Sequence, residues 1–226
     1  MRRTLKSRYE TRYFSALVKI VPPLEGLLRS VLGDTPRIDR IAVRAKTVDR
    51  FIAKSDKRDT SGALKYADPF DQIQDQLGAR VVVLYEQDVE AVSNIVLKYF
   101  RHIEARIVVP ELPSEFGYVG KHFVLALPTD ALPSGVSKAE APEFFECQVK
   151  TLFQHAWAET EHELGYKSPV ALTDDQKRRL AFTAAQAWGA DRIMSDLMNE
   201  TQASALPGII AKRRSPRSSI LESDQD

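Results

Sequence analysis

Between Gly78 and Glu86 the chain reads Ala79-Arg80-Val81-Val82-Val83-Leu84-Tyr85, an apolar run of strand length with one charge near its start. Such a run does not alternate, so it needs apolar cover on both faces. It predicts a buried central strand with partners beside it and helices packed over it. Four further segments supply strands: Arg37–Lys46, Ile103–Val109, His122–Leu127 and Phe144–Val149. Helical spacing places helices over Lys6–Leu32, from Val48, from Pro69 to near Gly78, from Asp88, over Thr151–Tyr166 and over Asp174–Thr201. Thr47 and Asp68 stand as N-caps for the second and third. Pro22-Pro23 predicts a break or kink in the first. Pro128–Pro142, with its Pro, Gly and Ser, reads as an exposed loop.

The fold class is therefore α+β: a mixed β-sheet of about five strands flanked by helices, with helices at both termini. Strand order stays open. At 226 residues this is one domain, 1–203, with a core over about 37–167; residues 204–226, rich in Arg, Ser and Pro, are expected to hold little fixed structure.

Charge and composition remove several classes of function. Lys plus Arg number 32 and Asp plus Glu 31, a net charge of +1, so a globally basic nucleic-acid binder is not expected. The single cysteine, Cys147, cannot form a disulfide within the chain and makes a Cys-based zinc site remote. No stretch reaches the roughly 18–20 apolar residues of a membrane span. The basic N-terminus lacks a following apolar segment, so the expected location is cytoplasmic.

Four clusters carry chemistry. Arg44 and Lys46 share one strand face, and Arg50, Lys54 and then Lys57 or Arg58 follow at helical spacing; this is a phosphate-gripping ridge or a solvated basic face. Asp75 precedes the central strand and Arg80 sits at its start. A carboxylate there can hold Mg²⁺ against substrate phosphates, or can simply pair with Arg80. Gly117-Tyr118 and Gly120-Lys121-His122 form either a ligand-approaching turn with a stacking Tyr or a plain glycine-rich turn into a strand. Glu146, Gln148 and Lys150 project from one strand face and suggest a lined cleft, or the solvent side of an edge strand. His155, Glu159 and His162 follow on the next helix without zincin spacing and read as interface residues. Cys147 reads as a small buried residue.

The order of these clusters resembles the synthetase domain of the RelA/SpoT family, especially its short single-domain alarmone synthetases. The resemblance runs from about Ile38 to Lys167 and is most specific in Phe145–Lys167, FECQVKTLFQHAWAETEHELGYK. It implies a nucleotidyltransferase-like fold and pyrophosphoryl transfer, moving the β,γ-diphosphate of ATP onto the ribose 3′-hydroxyl of GDP or GTP. By position it implies ATP binding at Arg44, Lys46, Arg50, Lys54 and Arg80, and Mg²⁺ at Asp75 and Glu146, which are also the catalytic pair. Tyr118, Lys121, His122, Gln148 and Lys150 would then meet the acceptor, and Glu146 would receive the 3′-hydroxyl proton. A homo-oligomer and synthesis without hydrolysis are further implications.

The sequence departs from the family at Arg50 and Gly120, where Ser is common, and at Ser114 and Phe116, where guanine-nucleotide binders carry Lys and Asn. The acceptor side is thus the altered side. tRNA, approached through Arg2, Arg3, Lys6, Arg8, Arg12 and Lys212-Arg213-Arg214, or an adenine nucleotide is the alternative acceptor; a non-catalytic nucleotide-binding module is the alternative of another class.

Overall fold

The structure, a computed structural model, describes residues 4–107, 120–166 and 171–205. The chain begins with α1 (Leu5–Arg12), a π-helical turn over Tyr13–Leu17 and α2 (Val18–Leu32). Then come β1 (Ile38–Ala45), α3 (Val48–Ser55), the short α4 (Pro69–Gln72), β2 (Leu77–Val83) and α5 (Glu86–Tyr99). The strands β3 (His102–Ile107), β4 (Lys121–Ala126) and β5 (Phe144–Thr151) follow, and α6 (Leu152–Glu161) and α7 (Asp174–Ala205) complete the described chain.

The five strands form one mixed sheet in the order β1-β2-β5-β4-β3, with β2–β5 parallel and the other pairs antiparallel. The apolar run is the second strand of the sheet and its Val81, Val82 and Val83 are fully buried, as a strand covered on both faces requires. One sheet face, with Ile41, Val43, Val81, Phe123, Leu125, Phe145 and Val149, joins the main core with Leu17, Ile20, Leu24, Leu28, Val92 and Val96 of the helices. The exposed edge of β1 is closed by α2: Glu25 accepts from the Val43 N–H at 3.1 Å and Arg29 donates to the Ile41 carbonyl at 2.7 Å. These contacts satisfy backbone groups that an edge strand otherwise leaves open to pairing.

Three sequence expectations change. Pro22 and Pro23 lie inside α2, and the irregularity appears earlier, as the π turn, where the Val18 N–H reaches back to the Tyr13 carbonyl. The helix expected from Pro69 to near Gly78 ends at Gln72. Buried Ile73 turns extended (φ −85°, ψ 96°), and the Gln76 side-chain amide donates to the carbonyls of Phe70 and Ile73 at 2.6 and 3.1 Å. The backbone is satisfied without a continued helix, β2 starts two residues before Ala79, and Asp75 sits in a non-helical bend (φ −92°, ψ 30°). At the other end, α7 runs through Ala205, past Ser204. The expected strand residues 108 and 109 and the tail from 206 lie outside the described residues. Among the described residues no helix is long and apolar enough to cross a membrane.

β5 passes into α6 without a loop. Thr151 caps α6 in a reciprocal pair with Gln154, and its hydroxyl also donates to buried Asp191 of α7. This junction fixes where α6 leaves the sheet, and so places His155 and Glu159 over the sheet face opposite the main core.

Candidate active site

Side chains alternate along a strand, so the sheet register decides which residues meet. Arg44 pairs across to Gly78, and Gly78 to Glu146; the neighbouring row runs Ala42, Arg80, Gln148, His122. All these side chains rise on the face away from the main core. Between Arg44 and Glu146 stands Gly78, where a Cβ would meet nothing within 4 Å. The glycine leaves an open floor between a cation and a carboxylate.

Asp75 enters from the bend ahead of β2. Its Oδ2 lies 2.8 Å from Lys46 Nζ and its Oδ1 3.0 Å from Lys54 Nζ. The Lys46 backbone is tied to the same bend, its N–H donating to the Gln76 carbonyl at 2.8 Å, while its carbonyl accepts from the Tyr9 hydroxyl at 2.9 Å. Tyr9 in turn stacks on Phe51 of α3 at 3.7 Å, so the core fixes both the strand end and the helix that presents Lys54. Burial pushes the Asp75 carboxyl up, but Lys46 and Lys54 together hold it below the ordinary carboxylate range.

Glu146 accepts a hydrogen bond from His122 Nδ1 at 3.1 Å and one from Gln148 Nε2 at 3.2 Å. Burial raises its carboxyl and Asp75 adds to that; the His122 contact and Gln148 outweigh both, and the net direction is down. Both carboxylates are therefore ionised at neutral pH.

The two line the same cleft of about 410 Å³, together with Arg40, Arg44, Lys46, Arg50, Arg80 and Gln148. Arg80 is held at 2.8 Å by Glu159 of α6 and lies 3.4 Å from His155 Nδ1. Burial, then Arg80 and Arg50, press the Arg44 guanidinium below its usual value, the signature of cations gathered where an anion is wanted. Asp75 and Glu146 also line a second cavity of about 390 Å³, on the side of Lys54 and His122. The carboxylate pair thus stands where two cavities meet.

The other candidates are placed as follows. Lys150 shares the face of Glu146 and Gln148 but is 3% exposed, beneath the cleft. Lys121 points to the opposite face, as alternation from His122 requires, and pairs with Glu90 of α5 at 2.6 Å; it stands on the other side of the sheet from His122, Gln148 and Lys150. Lys57 and Arg58 lie past the end of α3, so the basic ridge stops at Lys54, and Arg58 donates to the Gly62 carbonyl at 2.8 Å. Tyr118, with Ser114, Phe116 and Gly117, lies outside the described residues. Arg8 and Arg12 stack over Phe70 at 4.6 and 4.5 Å. A Cβ on Gly120 would fall 2.4 Å from the Val149 carbonyl oxygen and 2.5 Å from Lys150 Cβ, so serine has no room there. Cys147 is buried, and burial pushes its thiol up to about 12, which leaves it no role as a nucleophile.

Sequence reasoning missed His155 and Glu159, read as interface residues, which line the Arg-rich cleft. Their i,i+4 spacing, opposite an Arg on the neighbouring strand, was the available signal. Tyr66 and Lys65, which line the second cavity, carried no signal in the sequence.

Among the described residues no three His, Cys, Asp or Glu cluster as a ready-made metal cage. Two ionised carboxylates facing a cationic cleft nonetheless fit Mg²⁺, which keeps water and takes one or two protein carboxylates plus substrate phosphates. Asp75 Oδ1 is buried without a well-aligned hydrogen bond, which leaves a lone pair available.

A sequence model of the region found in RelA/SpoT proteins matches residues 43–170. The chain is 25% identical over 199 residues to the GTP pyrophosphokinase YjbM of Bacillus subtilis, covering 86% of this chain and 89% of that one. Among solved structures it resembles a GTP pyrophosphokinase family protein from Streptococcus pneumoniae (TM-score 0.69, 24% identity, 89% of this chain and 97% of that one). It also resembles the small alarmone synthetase 1 of Bacillus subtilis bound to its product pppGpp (TM-score 0.64, 24% identity, 86% and 97%).

Proposed function

This chain belongs to the RelA/SpoT family, and from that premise we propose that it transfers the β,γ-diphosphate of ATP to the ribose 3′-hydroxyl of GDP or GTP. The observation that carries the reading is the position of Asp75 and Glu146 at the junction of two cavities, one of them walled by Arg44, Lys46, Arg50 and Arg80. The distant relationship to a GTP pyrophosphokinase over most of the chain supports it.

In this reading the Arg-rich cleft takes ATP. The transferring diphosphoryl group carries charge spread over several oxygens, so the protein's task is positioning and electrostatic stabilisation. Arg44 and Arg80 offer planar forks for phosphate or base, and Lys46 and Lys54 offer point charges. The two lysines leave Asp75 for phosphate oxygens as the nucleotide enters. Asp75 and Glu146 would hold Mg²⁺, which when bound neutralises charge on the phosphates. Glu146 faces the second cavity as well as the first, and takes the proton of the incoming 3′-hydroxyl. His122, bonded to Glu146, fixes the orientation of that carboxylate.

The test is an acceptor screen. ATP labelled in its γ-phosphate is offered with Mg²⁺ to GDP, GTP, AMP, ADP and bulk tRNA in parallel. AMP together with a 3′-diphosphorylated guanine nucleotide is the expected result. Label on tRNA or an adenine nucleotide alone would replace the acceptor in this proposal, and no transfer to any acceptor would overturn it.

A further inference from the structure

We infer that Asp191 of α7 is a positioning residue for the Arg-rich cleft: through Thr151 it fixes the first turn of α6, and with it the contacts that aim Arg80. The inference rests on the proposed transfer, in which that cleft takes ATP.

α7 crosses the start of two helices. α5 and α6 follow β2 and β5, which lie parallel and adjacent in the sheet. Asp191 and Ser195 stand one turn apart on α7, and both are buried. Ser195 Oγ accepts from the N–H of Glu86, the first residue of α5, at 3.0 Å, and Arg192 pairs with the Glu86 carboxylate at 3.2 Å. Asp191 Oδ2 accepts from the hydroxyl of Thr151, the cap of α6. The first N–H groups of a helix have no partner within it, so polar contacts buried at that end decide where the helix is anchored.

The Thr151 hydroxyl works in both directions. It donates to Asp191 and accepts from the Gln154 N–H at 3.1 Å, while the Gln154 side chain accepts from the Thr151 N–H at 2.9 Å. Asp191 takes the hydroxyl proton and so leaves the oxygen lone pairs to α6. Without that carboxyl the proton is buried without its acceptor, or the side chain turns to find another and releases Gln154.

Further along α6, Glu159 Oε1 holds Arg80 Nη2 at 2.8 Å, and His155 Nδ1 lies 3.4 Å from Arg80 Nη1. α6 thus meets both ends of the guanidinium fork and sets the plane in which it faces the cleft. The Glu159 side chain is 53% exposed, where an ion pair alone contributes little, so the aim of Arg80 depends on the anchoring of the helix. Glu159 lies about 12 Å along α6 from Thr151, so a tilt of about 10° at the cap displaces it by about 2 Å. Such a shift breaks the contact with Arg80.

Calorimetry with a non-hydrolysable ATP analogue tests this without turnover. It is run on the wild type, Asp191→Ala, Asp191→Leu, Asp191→Asn, Glu159→Gln and the double variant Asp191→Ala with Glu159→Gln. Asp191→Ala and Asp191→Leu should each bind the analogue roughly ten-fold more weakly, the loss of one well-aimed charged contact. Asp191→Asn, which keeps an accepting oxygen, should stay within about two-fold of the wild type. The double variant separates positioning from general support of the fold. If Asp191 acts through the Glu159–Arg80 pair, the double should match Glu159→Gln alone to within about two-fold. Losses that multiply in the double variant, or wild-type affinity in folded Asp191→Ala and Asp191→Leu, overturn the inference. Should the alanine variant fail to fold, the leucine variant, which fills the buried volume, decides alone. Analogue binding that follows the expected pattern, in a protein that transfers nothing, would sink the proposed reaction and leave the positioning role standing. A wild type that transfers to GDP or GTP, while every Asp191 variant binds the analogue as tightly, would do the reverse.

Discussion

Replacing Lys150 by Met should make this protein more stable and less active at once. Lys150 is 3% exposed under the sheet face that carries Glu146 and Gln148. The carboxylates nearby are engaged elsewhere, Glu159 by Arg80 and Glu146 by His122 and Gln148. Burial, then Arg80, push its ammonium down to about 8, against the pull of Glu159 and Glu146. The sign follows from proton counting. Between about 8 and 10.5 the folded chain holds a neutral amine while the unfolded chain still holds a proton, so stability rises with pH across that window. Below about 8 the full cost is present. At 1.36 kcal/mol per tenfold change, the gap to the ordinary 10.5 amounts to about 3 kcal/mol. Methionine fills a similar volume without charge, so at pH 7 the variant should gain up to about 3 kcal/mol, or roughly 6–12 °C in melting temperature for a chain this size. The advantage should fade toward pH 10.5. Denaturant midpoints of both proteins at pH 7, 8.5 and 10 measure it, and transfer assays on the same samples should show a loss of activity as a cation leaves the anion site. A wild type whose midpoint ignores pH across this range, or a methionine variant less stable at pH 7, would refute the reasoning.

Further outcomes follow from the same geometry. Glu146→Gln and Asp75→Asn should each cut transfer by at least about a hundred-fold, with circular dichroism unchanged, because each removes charge at the reacting centre. Both carboxyls lie below their ordinary range, so their contribution to stability is present above the unfolded values near 4 and is lost as pH falls through the lower folded ones. An acid titration of wild type against Asp75→Asn should therefore converge as the pH falls below the ordinary carboxylate range. Gly78→Val should leave stability nearly unchanged, since its Cβ has space, while obstructing the cleft floor and weakening binding of the ATP analogue by an order of magnitude in calorimetry. Gly120→Ser should destabilise by about 1–3 kcal/mol in denaturant melts, because its Cβ would press on β5 backbone.

The strands were legible because their signals are local. The apolar run at Ala79–Tyr85 needed cover on both faces, and Phe144–Val149 alternated cleanly enough to put Glu146 and Gln148 on one face. What stayed hidden depended on register and on side-chain competition. Lys121 and His122 are neighbours in sequence, yet the pleat sends one to Glu90 and the other to Glu146. Nothing local announced that the Gln76 amide would take the carbonyls of Phe70 and Ile73 and end a helix begun by a good cap. Tyr66 looked like any residue of a polar loop, because His122 and Glu146, which line the same cavity, come from strands more than fifty residues onward. The departure at Gly120 reads differently once its surroundings are known: steric closeness to β5, rather than any change of acceptor, accounts for the missing side chain.

The strand order carries a consequence for how the protein comes into being. Among the described residues β5 is the last strand synthesised, yet it lies between β2 and β4 and there is the only link from the β1–β2 pair to the β3–β4 pair. A nascent chain that has not yet exposed residues 144–151 outside the ribosome holds at most two separate hairpin-like pairs, with no catalytic junction between them. The junction of Asp75 and Glu146 therefore arrives in a single late event, the insertion of one strand, and a chain cut short before it lacks that junction altogether.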